Sequence, residues 1–403
     1  MSKYNKSIAF LYEQLPVFQR VGAKAYKKDL DTTIKLLESL DNPEKYFKSI
    51  HVAGTNGKGS VSTMLAEILR KNHYDTGLYT SPHLVDFRER IRVSGKKVRK
   101  KFIKEFVQKY KDTWQELSPS FFEITVAMAF EYFSQEEVDI AVVEVGLGGR
   151  LDSTNVIDPE VSIITRIGLD HQQFLGNTLE EIASEKAGIV KPNKPVILGP
   201  NQDSVIDVVK EVAARKGSDI YLAEHFLSDL PYTIPDYQRE NMGIVFKTCE
   251  VLKTKGWNIN MDKIVNQMIK TITKKIKGRW QILDRSPLTI ADAAHNENGV
   301  KALTKQLGKI DYRNLHIVYG SVNDKEIDSV LSLMPKLAQY YFCKANIPRG
   351  MPAIDLQKKC AKYGMRGSSY ISVKDAFEAA RSNAESEDLI LVTGSIYVLA
   401  EAI

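Results

Sequence analysis

The chain has 403 residues, of which 43% are hydrophobic and 26% charged, and its formal net charge at pH 7 is +6. A chain of this length is too long for one ordinary hydrophobic core and predicts two or three domains. Its apolar runs are shorter than the roughly 18 residues of a membrane span, and its first residues lack the apolar core of a signal peptide. Three cysteines at unrelated spacings predict neither a zinc motif nor a disulfide framework. We therefore expect a cytoplasmic globular protein with no membrane partner.

The densest positive charge lies in the run KKVRKKFIK at residues 96–104. A nucleic-acid site would need a recognisable binding module, and none accompanies this run. The run is typical of a solvated loop that leads into the exposed face of a helix. The charge pattern therefore predicts no nucleic-acid partner and at most a mild attraction for anionic small molecules.

From about residue 47, short apolar segments alternate with amphipathic ones. The segments IHVAG, DIAVVEV, VSIITRI and PVILG are rich in β-branched residues and are typical of strands buried on both faces. Helix-like stretches lie between them at residues 60–72 and 178–187, and the second opens with the capping-box pattern of Thr178 and Glu181. This alternation predicts an α/β fold with a mostly parallel sheet.

A basic stretch, KKIKGRWQILDRSP at residues 274–287, separates this series from a second one. The second series contains the strand-like segments LTIADAA, LHIVYG, QYYFCK and LILVTG. We therefore predict two α/β domains, one at residues 1–280 and a smaller, Rossmann-like one at residues 281–403.

Residues 51–60 read HVAGTNGKGS, with an apolar strand before them and an amphipathic helix after them. Glycines let the backbone fold around phosphate oxygens, and the N–H groups of the loop and helix start point at the anion. Lys58 is placed to reach the β- and γ-phosphates of a nucleotide. The spacing departs from the usual motif, because two residues separate Gly54 from Gly57 and Gly59 precedes Ser60. The order strand, loop, helix nevertheless favours a phosphate loop, and a P-loop NTPase-like first domain, over a simple glycine-rich turn.

Two further polar residues follow predicted strands. Glu144 ends the run AVVE, and His171 follows the next strand-like segment. A carboxylate at the carboxyl end of a buried parallel strand lies where α/β sheets bind ligands, and near a phosphate loop it is suited to Mg²⁺. A lone histidine is more often structural, so only its position makes His171 a metal candidate. Lys186 has the sequence context of a salt-bridge partner on a helix.

Nine motifs occur in one order along both predicted domains: GTNGKGS, TSPHL with ERIR, FFE, EVGLGGRLDSTN, LDH, EKAGI, GRWQ, DAAHN and a late TGS-Y. In that order they resemble the folylpolyglutamate and dihydrofolate synthases, a branch of the Mur ligase family. The resemblance extends from about residue 50 to the end of the sequence.

The resemblance implies a site for ATP and two Mg²⁺ ions. The metal-associated residues it implies are Ser81, Glu144, His171 and Lys186, and Lys186 matches a lysine that is carbamylated in the family. The implied contacts to ATP phosphates are Gly57, Lys58, Gly59 and Ser60. The residues that would complete the nucleotide site are Asn241, Arg279 and Asp292. His295 lies nearby in the sequence with a less defined role.

The same resemblance implies that a pterin is bound by residues 81–90 together with Phe122, Glu123, Asp152 and Ser153. Aromatic rings can cover the flat pterin, and a carboxylate can accept from its N–H groups. Phe121 and Phe122 fit the core of a helix about equally well.

The activity implied is ATP-dependent ligation of L-glutamate, through an acyl phosphate, to dihydropteroate and to the γ-carboxylate of folates. Lys58, Glu144, His171 and Lys186 are the catalytic candidates. Small molecules are the expected partners, and a monomer is expected. An enzyme that acts as a folylpolyglutamate synthase only remains an alternative.

Two more distant alternatives share the nucleotide chemistry. A muramyl-peptide ligase would not be expected to carry the SPHL and FFE segments, and it usually has an additional domain for its nucleotide-linked sugar. A switch protein would hydrolyse nucleotide independently of glutamate.

Overall fold

The computed structural model describes residues 2–15, 29–111, 113–226, 230, 233–323 and 327–403. It divides into two compact units. Unit 1 contains Met1–Leu230 and Tyr237–Lys275, and unit 2 contains Pro231–Asp236 and Ile276–Ile403. The main segment of unit 2 therefore begins at Ile276, whereas the sequence prediction placed the boundary after residue 280.

Unit 1 is built on an eight-stranded sheet in the order β4-β3-β2-β5-β1-β6-β7-β8. Its strands are β1 (Lys48–Ala53), β2 (Thr76–Tyr79), β3 (Ile91–Val93), β4 (Lys96–Lys97), β5 (Ile140–Glu144), β6 (Val161–Ile164), β7 (Val196–Leu198) and β8 (Ile220–Leu222). All pairs are parallel except those that join β3 to β2 and β4 to β3. The mostly parallel sheet predicted from the sequence is confirmed.

Within the described ranges of unit 1, two α-helices precede β1 and the others lie between or after the strands. In chain order the helices are α1 (Lys3–Gln14), α2 (Asp31–Glu38), α3 (Lys58–Lys71), α4 (Lys100–Tyr110), α5 (Thr113–Leu117), α6 (Phe121–Gln135), α7 (Gln172–Leu175), α8 (Leu179–Ala187), α9 (Asp203–Arg215), α10 (Asp236–Thr254) and α11 (Ile264–Lys274). The basic run at residues 96–104 forms β4 and the first turn of α4, where Lys100 and Lys101 are exposed.

Unit 2 has a six-stranded sheet in the order β13-β12-β11-β14-β10-β9, parallel except for β9. Its strands are β9 (Gln281–Arg285), β10 (Leu288–Asp292), β11 (Leu315–Tyr319), β12 (Gln339–Phe342), β13 (Arg366–Ser369) and β14 (Leu389–Thr393). Its helices are α12 (Glu297–Leu307), α13 (Asp328–Leu333), α14 (Ala353–Ala361), α15 (Val373–Asn383) and α16 (Ile396–Ala402). The Rossmann-like α/β prediction is confirmed, while the stretch read as a separator contains β9.

Burial explains why the central strands were recognisable. Every residue of β5 and of β14 is buried, as are all residues of β1 after Lys48. Helices on both faces leave such strands no water-facing side, so their sequences are continuous apolar runs. Because parallel strands share a direction, the residues after β1, β5 and β6 come together at one edge of the sheet.

Two helices of unit 1 begin with capping boxes. Thr178 and Glu181 form the one expected from the sequence at α8, and Ser120 and Glu123 form another at α6. The Glu123 carboxylate accepts from the Ser120 N–H at 2.6 Å and from the Thr33 hydroxyl at 3.5 Å. A capping box satisfies backbone N–H groups that a helix start otherwise leaves without partners.

Among the residues that the structure describes, no helix is both long and apolar enough to cross a membrane.

Replacing Glu123 by alanine should lower the free energy of unfolding by about 2 kcal/mol, because it leaves the buried Ser120 N–H without its acceptor. Urea denaturation followed by circular dichroism measures this. Glu181→Ala is the matched control, since it removes the same capping interaction from an exposed helix start, and it should cost about 1 kcal/mol or less. Equal losses would contradict the role of burial.

Candidate active site

The phosphate loop occupies the turn between β1 and α3. Gly54 has φ +146°, Gly57 has φ +96°, and α3 begins directly after Gly57 at Lys58. A Cβ atom at Gly54 would lie 1.8 Å from Oγ1 of Thr165, and the backbone there has a conformation that L side chains rarely adopt. Glycine is therefore required at position 54 by space and by conformation together.

The segment after β6 holds this loop from one side. The N–H groups of Thr55 and Asn56 donate to the carbonyl of Arg166 at 2.9 and 3.2 Å. The Thr165 hydroxyl donates to the Asn56 carbonyl at 2.7 Å. Arg166 in turn forms a bidentate ion pair with Glu240, in which Nε and Nη2 each lie 2.9 Å from a carboxylate oxygen. None of these residues was singled out from the sequence.

Helix α10 contacts the loop from another side. Gln238, which is fully buried, donates through Nε2 to the Ser60 hydroxyl at 3.2 Å and accepts from Asn241 Nδ2 at 3.0 Å. A Cβ atom at Gly57 would lie 2.3 Å from Asn241 Oδ1. The structure thus brings Asn241 to the phosphate loop, and its part in nucleotide binding stays a prediction. The structure adds Gln238, which lies one helical turn before Asn241.

Lys58 folds back over its own loop. Its Nζ donates to the carbonyls of Gly54 at 2.9 Å and Thr55 at 3.2 Å. The ammonium group is therefore held beside the loop, where a phosphate would replace backbone carbonyls as its partner.

Glu144 ends β5 and lies against the phosphate loop. A Cβ atom at Gly59 would lie 3.5 Å from both of its carboxylate oxygens. The backbone N–H of Ser81 donates to Glu144 Oε2 at 2.9 Å, and the side chain of Glu144 is buried. The structure thus brings together Glu144, Ser81 and the phosphate loop, three parts that the sequence separates widely.

His171 and Lys186 lie in the segment that follows β6. His171 is the residue before α7, with φ +52°, and its Nε2 is 3.9 Å from Asp170 Oδ1. Lys186 lies near the end of α8 and is 4% exposed. Burial, with a smaller contribution from the positive charge of Lys58, lowers the pKa of Lys186 to about 7. A lysine in this state is neutral for much of the time at physiological pH.

The surroundings of Glu144 contain oxygen atoms that suit a metal ion. Within the described ranges, no three histidine, cysteine, aspartate or glutamate side chains are grouped as a metal cluster. The oxygen donors present are the Glu144 carboxylate and the Ser81 hydroxyl, which suit Mg²⁺. Since neutral Lys186 can take up CO₂, a carbamate there would add a further anionic oxygen donor. Glu144 and Ser81 therefore suit Mg²⁺, and a contribution from carbamylated Lys186 stays a prediction.

The residues predicted to bind a pterin have unequal surroundings. Phe121 is buried in the core, whereas Phe122 is partly buried and packs on Gly146, where a Cβ atom would lie 2.4 Å from its ring. Glu123 is 3% exposed and is engaged in its capping box. Asp152 is buried and accepts from the N–H of Leu147 at 2.8 Å.

Asp152 also accepts two hydrogen bonds from Thr154. Its Oδ1 accepts from the Thr154 N–H at 3.0 Å and from the Thr154 hydroxyl at 2.5 Å. Burial raises the pKa of Asp152 against the opposing effect of these donors. Ser153 follows it and is 9% exposed. Asp152 and Glu123 therefore both accept hydrogen bonds from backbone N–H groups. Their contact with a substrate stays a prediction.

The remaining nucleotide-site residues lie in unit 2. Asp292 ends β10 and accepts from the N–H groups of Trp280 at 2.8 Å and Ala294 at 3.0 Å. Arg279, next to Trp280, donates to the Gly278 carbonyl at 2.9 Å. His295 has Nδ1 2.8 Å from the Ala293 carbonyl. Arg279 and Asp292 thus flank one turn of unit 2, and their part in nucleotide binding stays a prediction.

Family models match this chain over most of its length. The Mur ligase middle domain matches residues 52–262, and the Mur ligase glutamate ligase domain matches residues 278–396. A dihydrofolate synthase/folylpolyglutamate synthase of Escherichia coli is 33% identical over 87% of this chain and 84% of its own length. The chain belongs to the Mur ligase family. Within it, the similarity is to the folylpolyglutamate and dihydrofolate synthase branch.

Other members of this branch give the same picture. A probable bifunctional folylpolyglutamate synthase/dihydropteroate synthase of Haloferax volcanii is 31% identical over 99% of this Mur ligase chain. The chain spans about half the length of the first two curated relatives, 50% and 51%.

Solved structures agree with the family assignment. The E. coli FolC structure in complex with DHPP and ADP has a TM-score of 0.87 and 28% identity, and covers 100% of this chain and 97% of its own. The Yersinia pestis bifunctional enzyme complexed with AMPPNP and a Mn ion has a TM-score of 0.85 and 27% identity, at 100% and 97% coverage. These relatives therefore bind nucleotides and other small molecules.

Lys186→Met should stabilise the protein more at pH 7 than at pH 9.5, by a margin of at least about 1 kcal/mol. The folded pKa of Lys186 is about 7 and the ordinary value is 10.5. Between these values the unfolded lysine binds more protons, so wild-type stability rises with pH, whereas the methionine variant lacks this rise. Denaturation in CO₂-free buffer at both pH values measures the difference.

The control for this measurement is Lys210→Met, which alters an exposed lysine on α9. It should change the free energy of unfolding by a similar small amount at both pH values. A margin no larger for Lys186→Met than for this control would contradict the lowered pKa.

Proposed function

We propose that this Mur ligase is an ATP-dependent enzyme that joins L-glutamate to a pterin-linked carboxylate. The observation that carries the proposal is the phosphate loop with the buried Glu144 carboxylate against Gly59, in a chain that matches both Mur ligase domains. A carboxylate at this place beside a phosphate loop is suited to hold a divalent cation near nucleotide phosphates.

The reaction proceeds in two steps. A carboxylate oxygen of the acceptor attacks the γ-phosphorus of ATP, the bond from that phosphorus to ADP breaks, and an acyl phosphate forms. The amine of L-glutamate then attacks the acyl carbon and loses a proton. The carbon–oxygen bond to phosphate breaks from the tetrahedral intermediate, leaving an amide and inorganic phosphate. No nucleophilic side chain is required.

The chain's own residues contribute position and charge. The loop N–H groups and Lys58 bind the phosphates, and Gln238 and Asn241 hold the loop in place. Glu144 and Ser81 would hold Mg²⁺, with His171 and carbamylated Lys186 at a second ion. When bound, Mg²⁺ supplies charge neutralisation at the phosphate oxygens. Arg279 and Asp292 are proposed as further nucleotide contacts.

The acceptor is proposed to be both dihydropteroate and the γ-carboxylate of a folate. Phe122 is the most suitable aromatic side chain for the pterin, since it is partly buried, while Phe121 is in the core. Asp152 and Ser153 lie on the loop after β5 and would meet the same ligand. A folylpolyglutamate synthase without the first activity is the nearest alternative.

We also propose a cytoplasmic location, because ATP and L-glutamate are cytoplasmic metabolites. A monomer with no nucleic-acid or membrane partner is proposed with it. A muramyl-peptide ligase and a nucleotide-hydrolysing switch are less well supported, since the relatives reported above are folate enzymes.

The direct test measures ADP release by purified protein with ATP, Mg²⁺ and L-glutamate, with dihydropteroate or tetrahydrofolate offered in parallel. We expect glutamate-dependent turnover with both acceptors. Turnover with tetrahydrofolate alone would restrict the activity to polyglutamylation. Absence of turnover with either acceptor would contradict the proposal, and ADP release without glutamate would favour the switch protein.

Gly54→Ala should reduce glutamate-dependent ADP release by about a hundredfold or more, because the added methyl group displaces Thr165 or the phosphate loop. Gly256→Ala is the matched control, since Gly256 also has a positive φ but has open space around its Cβ position. The control should lose about 1 kcal/mol of stability and keep its turnover. Equal activity of the two variants would exclude this loop from the site.

A further inference from the structure

The buried side chain of His51 lies on β1, three residues before Gly54 of the phosphate loop, and the proposed chemistry does not use it. We propose that His51 is a positioning residue for the loop at residues 146–154, acting through Thr154 and Asp152. This inference rests on the proposed function, because that loop carries the residues assigned to the acceptor.

The hydrogen bonds of this group have one consistent direction. The Thr154 hydroxyl lies 2.5 Å from Asp152 Oδ1 and 2.8 Å from His51 Nε2. A hydroxyl has one proton, and a carboxylate accepts, so Thr154 donates to Asp152 and accepts from His51. His51 therefore carries its proton on Nε2. Asp152 Oδ2 then accepts from the Leu147 N–H at 2.8 Å, which extends the chain of hydrogen bonds across the loop.

This arrangement leaves His51 Nδ1 as an acceptor, and within the described part of the structure that buried atom has no hydrogen-bond partner. An unpaired buried acceptor is unfavourable, and an aliphatic residue would suit the middle of a buried strand better. The side chain of His51 is fully buried. Its presence on β1 is explained by the hydrogen bond that Nε2 donates, since an aliphatic side chain would make none.

The loop that this chain of hydrogen bonds holds is packed tightly against the metal-site segment. A Cβ atom at Gly149 would lie 2.8 Å from the carbonyl oxygens of Glu185 and Lys186. The N–H of Arg150 donates to the Glu185 carbonyl at 2.8 Å. A shift of the loop would therefore move Asp152 and Ser153 relative to the rest of the site. His51 is joined to this loop by side-chain contact, while the phosphate loop is held separately by Thr165 and Gln238.

The experiment compares His51→Leu, His51→Gln and Thr154→Val in the full chain. His51→Leu should raise the KM for the acceptor by about tenfold and leave the KM for ATP within about twofold of wild type. His51→Gln should recover most of the acceptor KM, because its amide can donate in place of Nε2. Thr154→Val should resemble His51→Leu, and the double variant should be no worse than either single variant.

Amide hydrogen exchange gives a readout that needs no substrate. In His51→Leu and Thr154→Val, the N–H groups of Leu147 and Thr154 should exchange at least about tenfold faster than in wild type, with residues 54–60 unchanged. His316→Leu is the matched control. His316 is also a buried histidine on a parallel strand, bonded to Tyr341 and Asp388 in unit 2. This control should lower stability without changing the acceptor KM or the exchange of the 146–154 loop.

Unchanged exchange in this loop in both variants would overturn the inference. So would equal rises in the KM values for acceptor and ATP, or failure of His51→Gln to restore the acceptor KM. If the wild-type protein shows no turnover, the proposed function is contradicted. Faster amide exchange in the variants would still support His51 as the residue that positions the loop.

Discussion

The site of unit 1 depends on the close approach of Gly54 to Thr165. The phosphate loop can lie across the ends of β1 and β6 only because position 54 has no side chain. Once there, the loop is fixed by backbone hydrogen bonds to Arg166 and by the Thr165 hydroxyl. The helix that follows starts at Lys58, so the N–H groups of its first turn face the same edge of the sheet as Glu144. A single steric constraint thus sets where an anion can bind.

Two buried side chains, Glu144 and Lys186, carry ionisable groups in unfavourable surroundings. Glu144 is buried beside a loop made for anions, and Lys186 is buried where its charge is unfavourable. A cation bound beside the phosphate loop would compensate the charge of Glu144, and carbamylation of Lys186 would remove its buried ammonium group. Perturbed side chains of this kind are typical of functional sites, because the ligand supplies the compensating charge.

The sequence predicted the fold well where burial controls composition. The strands that hold the site, β1, β5 and β6, are apolar on both faces and were recognisable as such. By contrast, β9 reads QILDR and has no continuous apolar run, because it lies at a sheet edge. The buried strand β2 reads TGLY and is too short to show such a run. The parts of the site on the described strand ends, Glu144 and the phosphate loop, followed from this pattern alone. Lys186 did not, since its lowered pKa comes from packing between distant segments.

Two assignments show what side-chain geometry adds. Glu123 was connected with pterin binding through a resemblance, yet the Ser-x-x-Glu spacing from Ser120 was a visible sign of the capping box that it forms. Gln238 had no such sign, because its contact with Ser60 joins residues far apart in the chain. Its only hint was a position one turn before Asn241.

The glycine-rich turn after β5 has a consequence for how this protein can vary. The ring of Phe122 occupies the space that a Cβ atom would need at Gly146. Backbone carbonyl oxygens occupy the corresponding space at Gly149. At Gly149 the obstructing atoms belong to the backbone, so no substitution of a neighbour can remove them. We therefore expect only glycine to be accepted at position 149. At Gly146 the obstacle is a side chain, so a smaller residue at 122 would open space for a methyl group at 146. A side chain at position 146 is therefore expected only together with a smaller residue at position 122.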